Sequence, residues 1–144
     1  MIEIIYRDSQ GMWIIQTTHK FFKVPSIEHY FNELLRPQLT TLEGRLKATR
    51  RLLNQTRNVP LWLNQACCLM VIPNHTCPER IYVNGGVLSH IVQDNSKTEL
   101  RFKSSHVFVC SKTLKNLNRR LEKVLEAHQK LNQIVGKACQ NPPW

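Results

Sequence analysis

Between Thr113 and Val135, Leu114, Leu117, Leu121, Val124, His128, Leu131 and Val135 recur at alternating spacings of three and four. On an α-helix this repeat draws one apolar stripe about six turns long, and a stripe of that length has to be covered. Two covers are open. One is a β-sheet of the same chain; the other is the same helix of a second copy, because a 3-4 repeat is also the period of a coiled-coil seam. Leu125 and Ile134 widen the stripe, and the flanking Asn118, Ala127 and Asn132 carry no charge code. Gly136 stands where such a helix is expected to stop, and residues 137–144 are expected to form a flexible tail.

The rest of the chain reads mostly as strands. Ile2, Ile4 and Tyr6 alternate with other residues, Asp8 to Gly11 supply a turn, and Met12 to Thr18 are rich in β-formers, which predicts an N-terminal hairpin. Ser26 with Glu28 opens a short helix that Pro37 closes near Arg36. Thr40 and Glu43 have capping-box spacing and predict a second helix. Its apolar face is Leu42, Leu46, Thr49 and Leu53; Lys47, Arg50, Arg51 and Asn54 point elsewhere, and Arg45 flanks the stripe. Strands are expected over residues 60–63, 66–72, 81–83, 86–92, 98–103 and 106–110. Asn84-Gly85, between two apolar runs, has the sequence of a type I′ hairpin turn. The expected fold class is α+β: an antiparallel β-sheet, made of the N-terminal hairpin and a central β-meander, with a short basic helix and a long C-terminal helix. Residues 1–136 are expected to form a single domain.

The net charge of +10 is local. Thirteen of the twenty Lys and Arg residues lie in residues 36–57 and 101–123, against two acids there, Glu43 and Glu122. Concentrated positive charge attracts polyanions, because each neutralised phosphate releases condensed counterions. Exposed helices usually interleave the two signs to gain i,i+4 pairs, and these do not. Other classes find little support. No apolar run approaches the roughly 18–20 residues that span a bilayer, and the first residues lack the pattern of a signal peptide. A cytoplasmic location with reduced thiols is the expectation. The five cysteines suggest no disulfide framework, and His75-x-Cys77 alone is not a metal site. The scattered glycines form no phosphate-cradling loop, and nucleophile-elbow, zincin and zinc-deaminase patterns are missing. No enzyme, cofactor, metal or small-molecule substrate is expected.

The segment Thr40-Thr41-Leu42-Glu43-Gly44-Arg45-Leu46-Lys47-Ala48-Thr49-Arg50 resembles the small-small-aromatic-Glu-Gly-Arg stretch of the bacterial competence transcription factor family, ComK. Further landmarks follow in that family's order: Asn58-Val59-Pro60-Leu61, Val71-Ile72-Pro73-Asn74, Val87-Leu88-Ser89-His90-Ile91 and Thr98-Glu99-Leu100-Arg101-Phe102. The likeness spans roughly residues 12–125. Leu42, Asn74, Val87 and Ser104-Ser105 stand where the family has an aromatic, a Thr, a Trp and an Asn-Gly turn. The resemblance implies a sequence-selective DNA binder that reads A-runs and T-runs through the minor groove and activates genes for DNA uptake. It also implies a homodimer or higher oligomer on a two-fold site.

That activity suits the charge pattern. A·T pairs offer acceptors in the minor groove, and A-tracts narrow it and deepen its negative potential, a place for the thin planar head of Arg. Arg45, Arg50, Arg51, Asn54 and Arg57, with Lys47 beside them, are the candidates for the groove. Lys112, Lys115, Arg119, Arg120 and Lys123 are candidates for phosphates. Two other readings stay open. One is an RNA-binding module that stacks bases on Tyr82, Phe102 and Phe108; the other is a protein-interaction adaptor using the C-terminal helix.

Overall fold

The computed structural model describes residues 1–73, 80–110 and 112–140. The His75-x-Cys77 pair and residues 141–144 of the expected tail lie outside the described residues. The chain runs β1 (Ile2–Arg7), β2 (Trp13–Thr17), β3 (Phe21–Val24), α1 (Ile27–Leu35), α2 (Leu42–Leu53), β4 (Leu61–Asn64), β5 (Cys67–Pro73), β6 (Arg80–Asn84), β7 (Leu88–Asp94), β8 (Lys97–Phe102), β9 (Val107–Cys110) and α3 (Leu114–Gln140). The class is α+β, but the strands form two antiparallel sheets where one was expected. The first has six strands in the order β3-β2-β1-β6-β5-β4; the second is β7-β8-β9. β3 adds a third strand to the N-terminal hairpin that the local pattern alone did not announce.

The six-stranded sheet is the middle layer, covered on both sides. In β5, Cys67, Leu69 and Val71 join the core under α1 and α2, whereas Cys68, Met70 and Ile72 join the core under α3 and the smaller sheet. Two buried faces explain why β5 reads as an uninterrupted apolar run. α3 is covered by its own chain: Leu117, Val124 and Leu131 are buried against these sheets, with Leu121 and Val135 partly so. Leu125 remains exposed.

The Asn84-Gly85 hairpin does not form. β6 pairs with β1 and β5, and β7 pairs with β8. Gly85–Val87 is a single 3-10 turn that carries the chain from one sheet to the other. Buried Asn84 holds the corner, donating through Nδ2 to the Ile2 carbonyl (2.9 Å) and accepting from the Gly86 amide (3.1 Å). Gly85 has no positive φ to accommodate. Its value is its missing side chain: a Cβ there would lie 2.8 Å from Leu121 Cδ1 and 3.3 Å from Val124 Cγ1 of α3.

Ser26 caps α1 as expected, accepting from the His29 amide. On α2 the cap falls one residue later than expected, on Thr41, whose Oγ1 accepts from the Gly44 amide at 3.1 Å. Glu43 therefore misses the position from which a capping box closes. Thr113 caps α3 by accepting from the Asn116 amide. α3 does not stop at Gly136 but continues to Gln140. A helical glycine costs about 1 kcal/mol relative to alanine, which an otherwise good helical sequence absorbs.

One polar junction joins the two sheets. A bulge in β1 between Ile2 and Ile4 breaks the alternation at Glu3. The Glu3 carboxylate, 1% exposed, accepts from Gln16 Nε2 (3.2 Å) and Ser104 Oγ, and lies 2.7 Å from His106 Nδ1. Ser104 and His106 belong to the β8–β9 turn. Burial pushes the Glu3 carboxyl up, but these hydrogen bonds outweigh it and hold the group below its ordinary range.

Candidate nucleic-acid interface

α2 and α3 pack on opposite faces of the six-stranded sheet, and the segment from Asn54 to Pro60 leads from α2 into its edge strand β4. Asn54 ends α2 in the left-handed conformation (φ 53°), and Asn58 adopts it again (φ 52°). Asn tolerates this region better than other residues with a side chain, so Asn54 shapes the turn through its backbone. Val59 and Pro60 are buried and anchor the far end. β4 pairs with β5 only as far as Leu61↔Leu69, which leaves Val71 beyond the end of that ladder.

Two clefts open around this turn, and Arg57 borders both. The larger, about 300 Å³, takes Arg50 from α2 and Arg80 from β6, over walls that include Leu46 and Tyr82. The smaller, about 160 Å³, takes Arg119, Arg120 and Lys123 from α3 over Met70 and Val124. Among the described residues no carboxylate lines either. The smaller falls below, and the larger only reaches the foot of, the roughly 300–1,000 Å³ of mostly apolar pocket that drug-sized ligands occupy. Cations border both, so this edge is better suited to an extended anion. The side chains of Arg50, Arg57, Arg119 and Lys123 are exposed and form no hydrogen bond or ion pair with a described residue.

Arg120 differs from its neighbours. Its Nε donates to Asn116 Oδ1 (2.9 Å), one helical turn back, and its Nη1 to the Val71 carbonyl (3.5 Å). Burial first, and then the neighbouring Arg119, lower its pKa from the ordinary arginine value. Arginine stays charged at neutral pH regardless.

The structure thus brings five of the sequence-predicted residues together: Arg50, Arg57, Arg119, Arg120 and Lys123. It adds Arg80, a lone base in sequence. Strand alternation places Arg80 on the Tyr82 side of β6, the side that α2 covers, a signal readable only once the sheet order is known.

The other candidates are placed elsewhere. Arg45 is turned inward: its guanidinium carbon lies 4.9 Å from the Trp62 ring centroid, Nη1 donates to the Trp62 carbonyl (2.9 Å) and Nη2 to Gln38 Oε1. Burial lowers its pKa as well. The residue fastens α2 and the 36–38 turn to β4. Lys112 is buried at 9% exposure, its carbonyl accepting from Thr98 Oγ1 at 2.6 Å. Lys47 and Arg51 are exposed on α2, and Lys115 in the first turn of α3, but none of the three borders either cleft.

The rings proposed for base stacking are not a surface platform. Tyr82 (9% exposed) and Phe102 (2%) are core residues, and Phe108 packs against Tyr6 with ring centroids 5.0 Å apart. Among the described residues no group of three or more His, Cys, Asp or Glu is placed to hold a metal ion. Cys67 and Cys68 are buried free thiols that burial pushes up to about 11 and about 12, so neither supplies thiolate at neutral pH. No helix among the described residues is long and apolar enough to cross a membrane.

Compared with known proteins, the chain matches no family model, no curated protein and no solved structure.

Proposed function

We propose that this protein is a double-stranded DNA-binding transcription regulator of the competence type, reading A/T-rich sites through the minor groove as a homodimer or higher oligomer. The observation that carries the reading is the meeting of six cations from α2, β6, α3 and the 54–60 turn at one sheet edge, with no carboxylate among the described residues that line it. A duplex presents two phosphate rows on either side of a minor groove about 6 Å wide. Arg57, between the two clefts, is the candidate to enter the groove. Arg50 and Arg80 on one side, and Arg119, Arg120 and Lys123 on the other, are candidates for the flanking phosphates. Burial of Tyr82 and Phe102 weighs against stacking bases on those two rings.

Fluorescence anisotropy with A/T-rich duplex, G/C-rich duplex and single-stranded RNA at several salt concentrations tests this. The A/T-rich duplex should bind tightest. For about five neutralised phosphates, log K should fall against log salt with a slope of about −4 to −5. Equal binding of the three nucleic acids, or a flat salt response, sinks the proposal.

A further inference from the structure

We infer that the smaller cleft is a preformed phosphate seat, in which Arg120, held by Asn116 and the Val71 carbonyl, is the fixed donor and Arg57, Arg119 and Lys123 complete the charge. The inference rests on the proposed DNA reading for the identity of the phosphate as duplex backbone; the seat's chemistry can be tested apart from it.

Three observations carry it. First, four cations share a cleft of about 160 Å³ with no carboxylate among its described lining residues. Glu122 and Glu126, the acidic residues of that stretch of α3, form no ion pair among the described residues. An anion of compact size relieves the repulsion that the fold leaves standing. Second, Arg120 is oriented before any ligand arrives. Nε and Nη1 are engaged by Asn116 and Val71, and Nη2 takes part in neither bond. A guanidinium fixed in this way loses less freedom on binding than a mobile side chain, and its planar fork matches phosphate geometry. Third, the acceptor that fixes it exists because of the sheet. The β4–β5 ladder ends before Val71, so that carbonyl lies beyond the ladder's end and accepts from α3.

The seat separates two kinds of contribution. Arg119 and Lys123 act through charge; Asn116 carries none and acts only by positioning Arg120. Asn116→Ala should therefore lower affinity with no change in salt slope, whereas Lys123→Ala should lower affinity and reduce the slope by about one phosphate.

The experiment uses the full chain and two probes. Inorganic pyrophosphate is titrated into wild type, Arg120→Lys and Asn116→Ala by NMR of the arginine Nε–H signals. A labelled A/T-rich duplex is titrated into the same proteins across a salt series, with circular dichroism melts as the folding control. In wild type, pyrophosphate should shift the Arg57, Arg119 and Arg120 signals together. Arg120→Lys should weaken pyrophosphate about tenfold and Asn116→Ala about fivefold, with duplex affinity following at unchanged salt slope. Wild-type pyrophosphate binding in both variants, or no pyrophosphate binding at all, overturns the seat even when duplex still binds. Pyrophosphate binding that depends on both residues, in a protein indifferent to duplex, upholds the seat, assigns it to free phosphates and breaks the DNA reading.

Discussion

Two regions of this molecule handle charge in opposite ways. At the junction of the sheets the Glu3 carboxylate is buried and met by Gln16, Ser104 and His106. At the β4 edge, six cations gather around the 54–60 turn, and among the described residues only the Arg120 side chain has hydrogen-bond partners, both neutral. A matched, buried group contributes to folding; a crowd of unmatched like charges opposes it slightly and is kept where a ligand supplies the missing sign. On the proposed reading, the first region is architecture and the second is surface held ready for an anion. Substitutions in each should therefore move different observables.

The largest effect is expected at the junction. Glu3→Ala strands three polar partners at once and should cost about 2 kcal/mol by urea denaturation, with duplex affinity unchanged at temperatures where the variant is folded. The pH dependence has a definite sign. Because the folded-state pKa of Glu3 lies below the ordinary value of 4.5, its contribution is fully present above that value and lost as pH falls through the folded pKa. The stability gap between wild type and Glu3→Gln should thus close as the pH is lowered below 4.5. A Glu3 variant of full stability that had lost duplex binding would break the contrast between the regions.

Next in size is a pair on the basic helix and its turn. Arg57→Ala should weaken A/T-rich duplex about tenfold, about 1.4 kcal/mol, at an unchanged melting temperature. Arg45→Ala should behave in the reverse manner. It removes a cation–π contact and two hydrogen bonds to Trp62 and Gln38, so about 1 kcal/mol of stability should go while duplex affinity holds. Both are arginines of one short stretch, and a shared phenotype would show that the inward and outward positions are not functionally distinct.

That pair also marks how far the sequence could be read. Periodicity placed the main helices and most of the strands, and Ser26 announced its helix by local chemistry alone. Arg45 and Arg57 look alike in sequence because the difference between them is Trp62, a partner on another element. Lys112 looked like a surface base for the same reason. Asn84-Gly85 carried a strong hairpin signal, yet β6 found better partners in β1 and β5, and the glycine was needed by α3. Local patterns specify elements; pairing across tens of residues decides which charges end up beside one another. Arg80 became visible at the edge only through that pairing.

The smallest expected effect serves as the control for the contrast. A Cβ at Gly136 meets nothing within 4 Å, and the residue lies inside α3, away from both the Glu3 junction and the two clefts. Gly136→Ala should stabilise the protein by about 0.5–1 kcal/mol through helix propensity alone. Its duplex affinity and salt slope should match wild type, because the basic edge on α3 is set by Arg119, Arg120 and Lys123, more than three turns earlier. A gain in melting temperature with unaltered binding shows that stability can be raised without touching the edge. If instead the stiffer helix also tightened duplex binding, ordering of α3 would itself be part of recognition, and the division between architecture and ready surface would have to be redrawn along that helix.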